Sequence, residues 1–220
     1  MLKRLVPLRS SDSPFRYRQN VSLSPHLRTK RFNEDVVLFA SPEKLFALAS
    51  DALNGSLVKD PSKAFWEILA KRFNASLHLM EGFMIVRVMD AFDRVSDRAD
   101  LMSGLCHFVS EEVQRSRDIT MKFSSVDDLL RLSTLIGLYS NQINPLCYEK
   151  LLLGFAHLSY QINSKDTGIA VLECLTKLKR SNSRISDLES ILVKRISRRV
   201  GDSDLRKEHV PQFSNMTANS

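Results

Sequence analysis

Residues 124–158 read SSVDDLLRLSTLIGLYSNQINPLCYEKLLLGFAHL, and their punctuation decides the fold. Ser124 and Ser125 each stand three residues before an acid, Asp127 and Asp128. That spacing resembles a capping box with Asp in place of Glu or Gln. Leu129, Leu130, Leu132, Leu135, Ile136 and Tyr139 then recur at the three- and four-residue spacing of one helical face. Asn144-Pro145 opens a second helix, because Asn satisfies orphan N–H groups and Pro suits the first helical position. Tyr148, Leu151, Leu152, Phe155 and Leu158 carry its stripe. The stretch predicts two short amphipathic helices in an antiparallel pair.

The same grammar extends in both directions. Upstream, Ser41-Pro42 starts a helix with Leu45, Phe46, Leu48, Ala49 and Ala52 inward, and Asn54-Gly55 ends it. Asp60-Pro61 starts the next, with Ala64, Phe65, Ile68, Leu69 and Phe73. A third runs from Met80 to Val95, with Phe83, Val86, Met89 or Ile85, and Phe92 inside. Ser96 is the expected cap of a fourth, with Leu101, Leu105, Phe108, Val109 and Val113. Downstream, Ser164 opens a helix bearing Ile169, Leu172, Leu175 and Leu178. Ser186 with Glu189 is a capping box ahead of Leu188, Ile191, Leu192 and Ile196.

Helix starts near residues 42, 61, 80, 97, 125, 145, 165 and 187 define a pair that recurs four times, every ~40 residues. The expected fold is all-α: an α-solenoid of about four antiparallel helix pairs over 34–200, each pair burying its apolar face on its neighbours. Residues 1–33, interrupted by Pro7, Pro14 and Pro25, are expected as a basic N-terminal extension or targeting segment. Residues 201–220 are expected as a polar C-terminal tail.

Charge is segregated along the chain. Residues 1–33 hold eight Lys/Arg against one Asp, and 177–199 hold eight against two acids. Residues 34–176 hold 14 basic residues against 19 acids, so an acidic middle separates two basic regions. Such segregation points to a polyanion or anionic surface as partner. The candidate RNA-binding residues are Lys3, Arg4, Arg9, Arg16, Arg18, Arg28, Lys30 and Arg31, with Phe15, Tyr17, His26 and Phe32 interleaved for stacking. A second set is Lys177, Lys179, Arg180, Arg184, Lys194, Arg195, Arg198 and Arg199. Cations in the last turns of the eighth helix also complement its dipole.

Other chemistry finds no motif. The five histidines show no HxxxH or HExxH spacing, and the seven glycines lie singly, so neither a zinc site nor a phosphate-cradling loop is expected. Gly104, Gly137, Gly154 and Gly168 read as points of close helix–helix approach. Cys106, Cys147 and Cys174 are odd in number, lack a CxxC pair, and read as core fillers in a reducing compartment. Glu111-Glu112 reads as solvated charge. No apolar run reaches the roughly 18–20 residues of a membrane span. The expectation is a non-enzyme with no cofactor, no metal, no transmembrane segment and no small-molecule substrate.

The pairs AFWEILAKRF…MEGFMIVRVMDAFDRV and SSVDDLLRLSTLIGLYS…NPLCYEKLLLGFAHL resemble the degenerate heptatricopeptide-like repeats associated with RAP and FAST-kinase-like proteins. The resemblance covers about 42–200. It implies a protein acting on mitochondrial RNA or sitting in the mitochondrial ribosome. No segment here matches the α/β RAP domain, and the unit is longer than a pentatricopeptide repeat, so no base-reading code carries over. The Arg- and Ser-rich, acid-poor N-terminal segment matches an import leader, which puts the expected location in the mitochondrial matrix. The first expectation is a structural subunit of the mitochondrial ribosome, contacting rRNA through its basic ends and neighbouring proteins through its helices. A free RNA-processing or stability factor and an accessory subunit of a respiratory membrane complex are the alternatives.

Overall fold

The computed structural model describes residues 36–56, 62–96, 99–140, 143–178 and 186–201. Eight α-helices lie within them: α1 Pro42–Leu53, α2 Lys63–Ser76, α3 Gly82–Arg94, α4 Ala99–Arg115, α5 Val126–Tyr139, α6 Pro145–Leu158, α7 Lys165–Leu178 and α8 Ser186–Val200. Residues 36–38 are helical as well, and no strand occurs among the described residues. Three 3-10 turns, Leu77–Leu79, Ile119–Met121 and Ser159–Gln161, follow α2, α4 and α6. The all-α expectation holds.

The caps explain where the helices begin. Ser41 Oγ accepts from Lys44 N, Ser125 Oγ from Asp127 N, Asn144 Oδ1 from Leu146 N and Ser164 Oγ from Thr167 N. Gly55 and Gly201 stand past the ends of α1 and α8 at φ +68° and +69°, a left-handed turn that glycine adopts without Cβ strain. One start signal differs from expectation and a second is not reached. The cap of α2 is Ser62, which accepts from Phe65 N, rather than the Asp60-Pro61 pair. Ser96 is buried and its hydroxyl donates back to Phe92 O in α3, while residues 97 and 98, where its expected cap of α4 would act, lie outside the described residues.

Every helix packs on the next-but-one: α1 on α3, α2 on α4, and so on to α6 on α8. Sequential neighbours pack as well, α2 with α3 being the weak exception. The main contacts reach no further than two helices along the chain. Odd-numbered helices therefore form one layer and even-numbered helices the other. One continuous apolar cluster runs between the layers from Val37 to Ile196. Phe73, Phe92, Phe123 and Phe155 are its largest fully buried side chains, and Trp66 meets Phe92 edge-on at 5.0 Å between ring centres.

Some expected inward residues lie at the edge. Phe83 is 40% exposed, because the buried face of α3 is Ile85, Val86, Val88, Met89 and Phe92; it packs edge-on against Phe46 instead. Phe108 is likewise exposed, with Met102 and Cys106 taking its place on the buried face of α4. The glycines divide. A Cβ at Gly154 would sit 2.8 Å from Ile119 and 2.9 Å from Leu129, and one at Gly168 2.8 Å from Ile196. Gly137 faces Leu178 at 3.1 Å. Gly104 faces open space, so close approach is not its role. The tightest position is Gly82, unmarked in the sequence, where a Cβ would meet the Phe123 ring and Lys122 O at 2.6 Å.

Candidate nucleic-acid interface

Polar bolts join helices within each layer, and they decide which cations remain available to a partner. In the odd layer, Arg131 of α5 spans two carboxylates of α3, with Nε 2.5 Å from Asp90 Oδ1 and Nη2 2.7 Å from Asp93 Oδ2. Tyr139 Oη donates to the other Asp93 oxygen at 2.6 Å. That bond, with burial and the Asp93 charge adding, raises the phenol's pKa. Burial works against the Arg131 charge, but hydrogen bonds and fields from Asp90 and Asp93 outweigh it and push the pKa up. Between the turns, Lys122 Nζ bridges Glu112 at 2.5 Å and Leu77 O at 2.8 Å. Glu112 is thus a half-buried ion-pair partner, not the solvated charge expected; Glu111 does lie outside, paired with Arg115 and His107.

The even layer is joined differently. Tyr148 of α6 donates to Glu189 Oε1 of α8 at 2.8 Å, and Glu189 is only 1% exposed. Burial, then the Glu189 charge, drives the Tyr148 pKa upward, so this hydroxyl stays a donor. Toward the C-terminal ends of the same helices, Arg195 Nη1 donates to Ala156 O at 2.9 Å and Arg199 Nη2 to Tyr160 O at 2.5 Å. Both arginines are exposed; Arg195 adds a donor to a carbonyl that already accepts from Ser159 Oγ, and Arg199 reaches one in the 3-10 turn after α6. A carbonyl carries no net charge, so each guanidinium keeps its full positive charge and its remaining donors.

The candidates named from the sequence are scattered over the molecule. Lys194, Arg195, Arg198 and Arg199 are all exposed on α8. Lys177 is exposed on α7, but it lines a groove of about 280 Å³ between α5 and α7, away from the arginine-bound end of α6. Lys3, Arg4, Arg9, Arg16, Arg18, Arg28, Lys30, Arg31, Lys179, Arg180 and Arg184 lie outside the described residues.

Sequence reasoning passed over several residues on α6 and in the connections before and after it. Arg117 is exposed in the connection after α4, and its carbonyl accepts from Lys150 Nζ at 3.2 Å. Asp118 accepts from Thr120 N and Oγ1, and these bonds hold its carboxyl below the usual range, with the His157 and Lys150 charges contributing less. Tyr160 is 58% exposed. The signal missed was tertiary: Lys150 of α6 reaches the Arg117 carbonyl after α4, and Arg199 of α8 reaches the Tyr160 carbonyl after α6.

The three cysteines are buried as expected. Burial pushes the Cys106 thiol up to about 12 and the Cys147 thiol up to about 11, far from a reactive thiolate. Among the described residues no three His, Cys, Asp or Glu side chains converge as a metal set, and no helix is long and apolar enough to cross a membrane. Comparison of the chain with protein-family models, curated proteins and solved structures finds no match.

Proposed function

We propose that the chain is a non-catalytic structural subunit of a mitochondrial RNA–protein assembly, the mitochondrial ribosome, residing in the matrix. The observation that carries the reading is the exposed cationic end of α8. Lys194, Arg195, Arg198 and Arg199 stand together on the surface, and no carboxylate pairs with any of them among the described residues. Exposed cations with no carboxylate partner among the described residues suit a phosphate backbone, because binding releases its condensed counterions. The acid-rich remainder of the stack suits protein neighbours, and the basic 1–33 segment adds a further RNA contact and the import address.

The test is gradient sedimentation of the tagged protein from organelle lysate, with and without RNase. Migration with a ribosomal particle, moving to light fractions after RNase, is the expected result. Light migration in the untreated lysate would point to the free RNA-factor alternative. An RNase-insensitive heavy position alongside a respiratory complex would overturn the RNA reading.

A further inference from the structure

The geometry points to a track across one end of the even layer that takes a single-stranded RNA segment. It runs from Arg117 through Lys150 and His157 to Arg195 and Arg199, with one base stacked on Tyr160. This inference rests on the RNA reading above and assigns it to a surface that no single helix supplies. Its links are bonded or electrostatic neighbours, apart from one step between adjacent residues of α6. Lys150 reaches the Arg117 carbonyl, and Asp118 sits in the fields of both Lys150 and His157. Arg195 holds the Ala156 carbonyl beside His157, and Arg199 holds the carbonyl of Tyr160 itself. The track crosses from the end of α4 over α6 to α8, two interhelical spacings or roughly 16–20 Å, enough for a few nucleotides.

Three features distinguish it from an ordinary solvated helix face. The two guanidinium groups are already fixed by carbonyls, so little side-chain freedom is lost when a phosphate arrives. Asp118, bonded within this stretch, has an oxygen engaged by Thr120, which lessens its competition for the cations. The exposed Tyr160 ring stands on the backbone that Arg199 grips, and its hydroxyl accepts from Gln161 at 3.2 Å, which steadies it as a platform. An aromatic face with arginines alongside suits unpaired bases, whereas a duplex hides its base faces.

The experiment is fluorescence anisotropy of the full chain with a fluorescein-labelled oligouridylate of about twelve nucleotides, within the usual site range. The duplex form of the same length is the comparison ligand, and thermal melts of each variant check folding. Arg117→Gln with Lys150→Gln should weaken single-strand binding about tenfold and flatten the log–log salt slope by about 1.4, at ~0.7 for each phosphate no longer neutralised. Tyr160→Ala should weaken it about fivefold or more, and Tyr160→Phe should restore it. Lys177→Gln, off the track, should leave it unchanged. If wild-type binding is tight and salt-dependent but the track variants match it, or Lys177→Gln weakens it as much, the track is wrong and the RNA reading stands. If the wild-type chain binds neither oligonucleotide, both fail.

Discussion

The α3–α5 and α6–α8 seams both use arginine across a layer, to opposite ends. At α3–α5, Arg131 meets two carboxylates, and its charge is neutralised where it sits. At α6–α8, Arg195 and Arg199 meet carbonyl oxygens, and their charges remain for a partner. A hydrogen bond immobilises a guanidinium in either case, but only a carboxylate consumes its charge. Counting arginines in the sequence cannot separate the two uses; the acceptor can.

Replacing Arg131 with Met is the most severe way to probe this division. Asp90 and Asp93 would lose their counter-charge, and the loss of stability should be about 2–3 kcal/mol, discounted for the solvent that reaches the pair. Urea unfolding measures it, and a loss under about 0.5 kcal/mol would show the fork to be ornamental. RNA affinity of the folded fraction should stay at the wild-type value; a drop matching that of the Arg195 and Arg199 variants would collapse the distinction. Tyr148→Phe takes a donor from the buried Glu189 and should lower stability by about 1–2 kcal/mol, read the same way. Arg195→Gln with Arg199→Gln should cost no more than about 1 kcal/mol, since both side chains are exposed, yet should weaken RNA binding about tenfold or more. Gly104→Ala should have the smallest effect and the opposite sign. Its Cβ meets nothing, so the helix-propensity gain of about 0.5–1 kcal/mol should appear as a raised melting temperature. A lowered one would show that the groove beside Leu101 and Phe108 tolerates no added methyl.

The helices are legible because their starts are written locally. Ser41, Ser125, Asn144 and Ser164 cap through neighbours two or three residues away, and that spacing is visible in a string of letters. Buried stripes such as Tyr148, Leu151, Leu152 and Phe155 follow from the same periodicity. What the letters misstate depends on segments distant in the chain. Glu112 reads as solvated until Lys122 folds back on it, and Gly82 reads as unremarkable until Phe123 arrives. The candidate interface divides in the same way. Its α8 half is a run of basic letters, whereas Arg117, Lys150 and Tyr160 carry no local mark.

The reach of the side-chain bonds has a consequence for how the chain is made. Non-local bonds join residues about one helix pair apart: 37 positions for Arg87 with Ser50, 41 for Arg131 with Asp90, 41 for Tyr148 with Glu189. Each pair can therefore find its permanent neighbours as soon as the next pair leaves the ribosome, with no wait for a distant segment. Assembly can proceed from one end like bricklaying, and α8, with its arginines, is the last of the eight described courses.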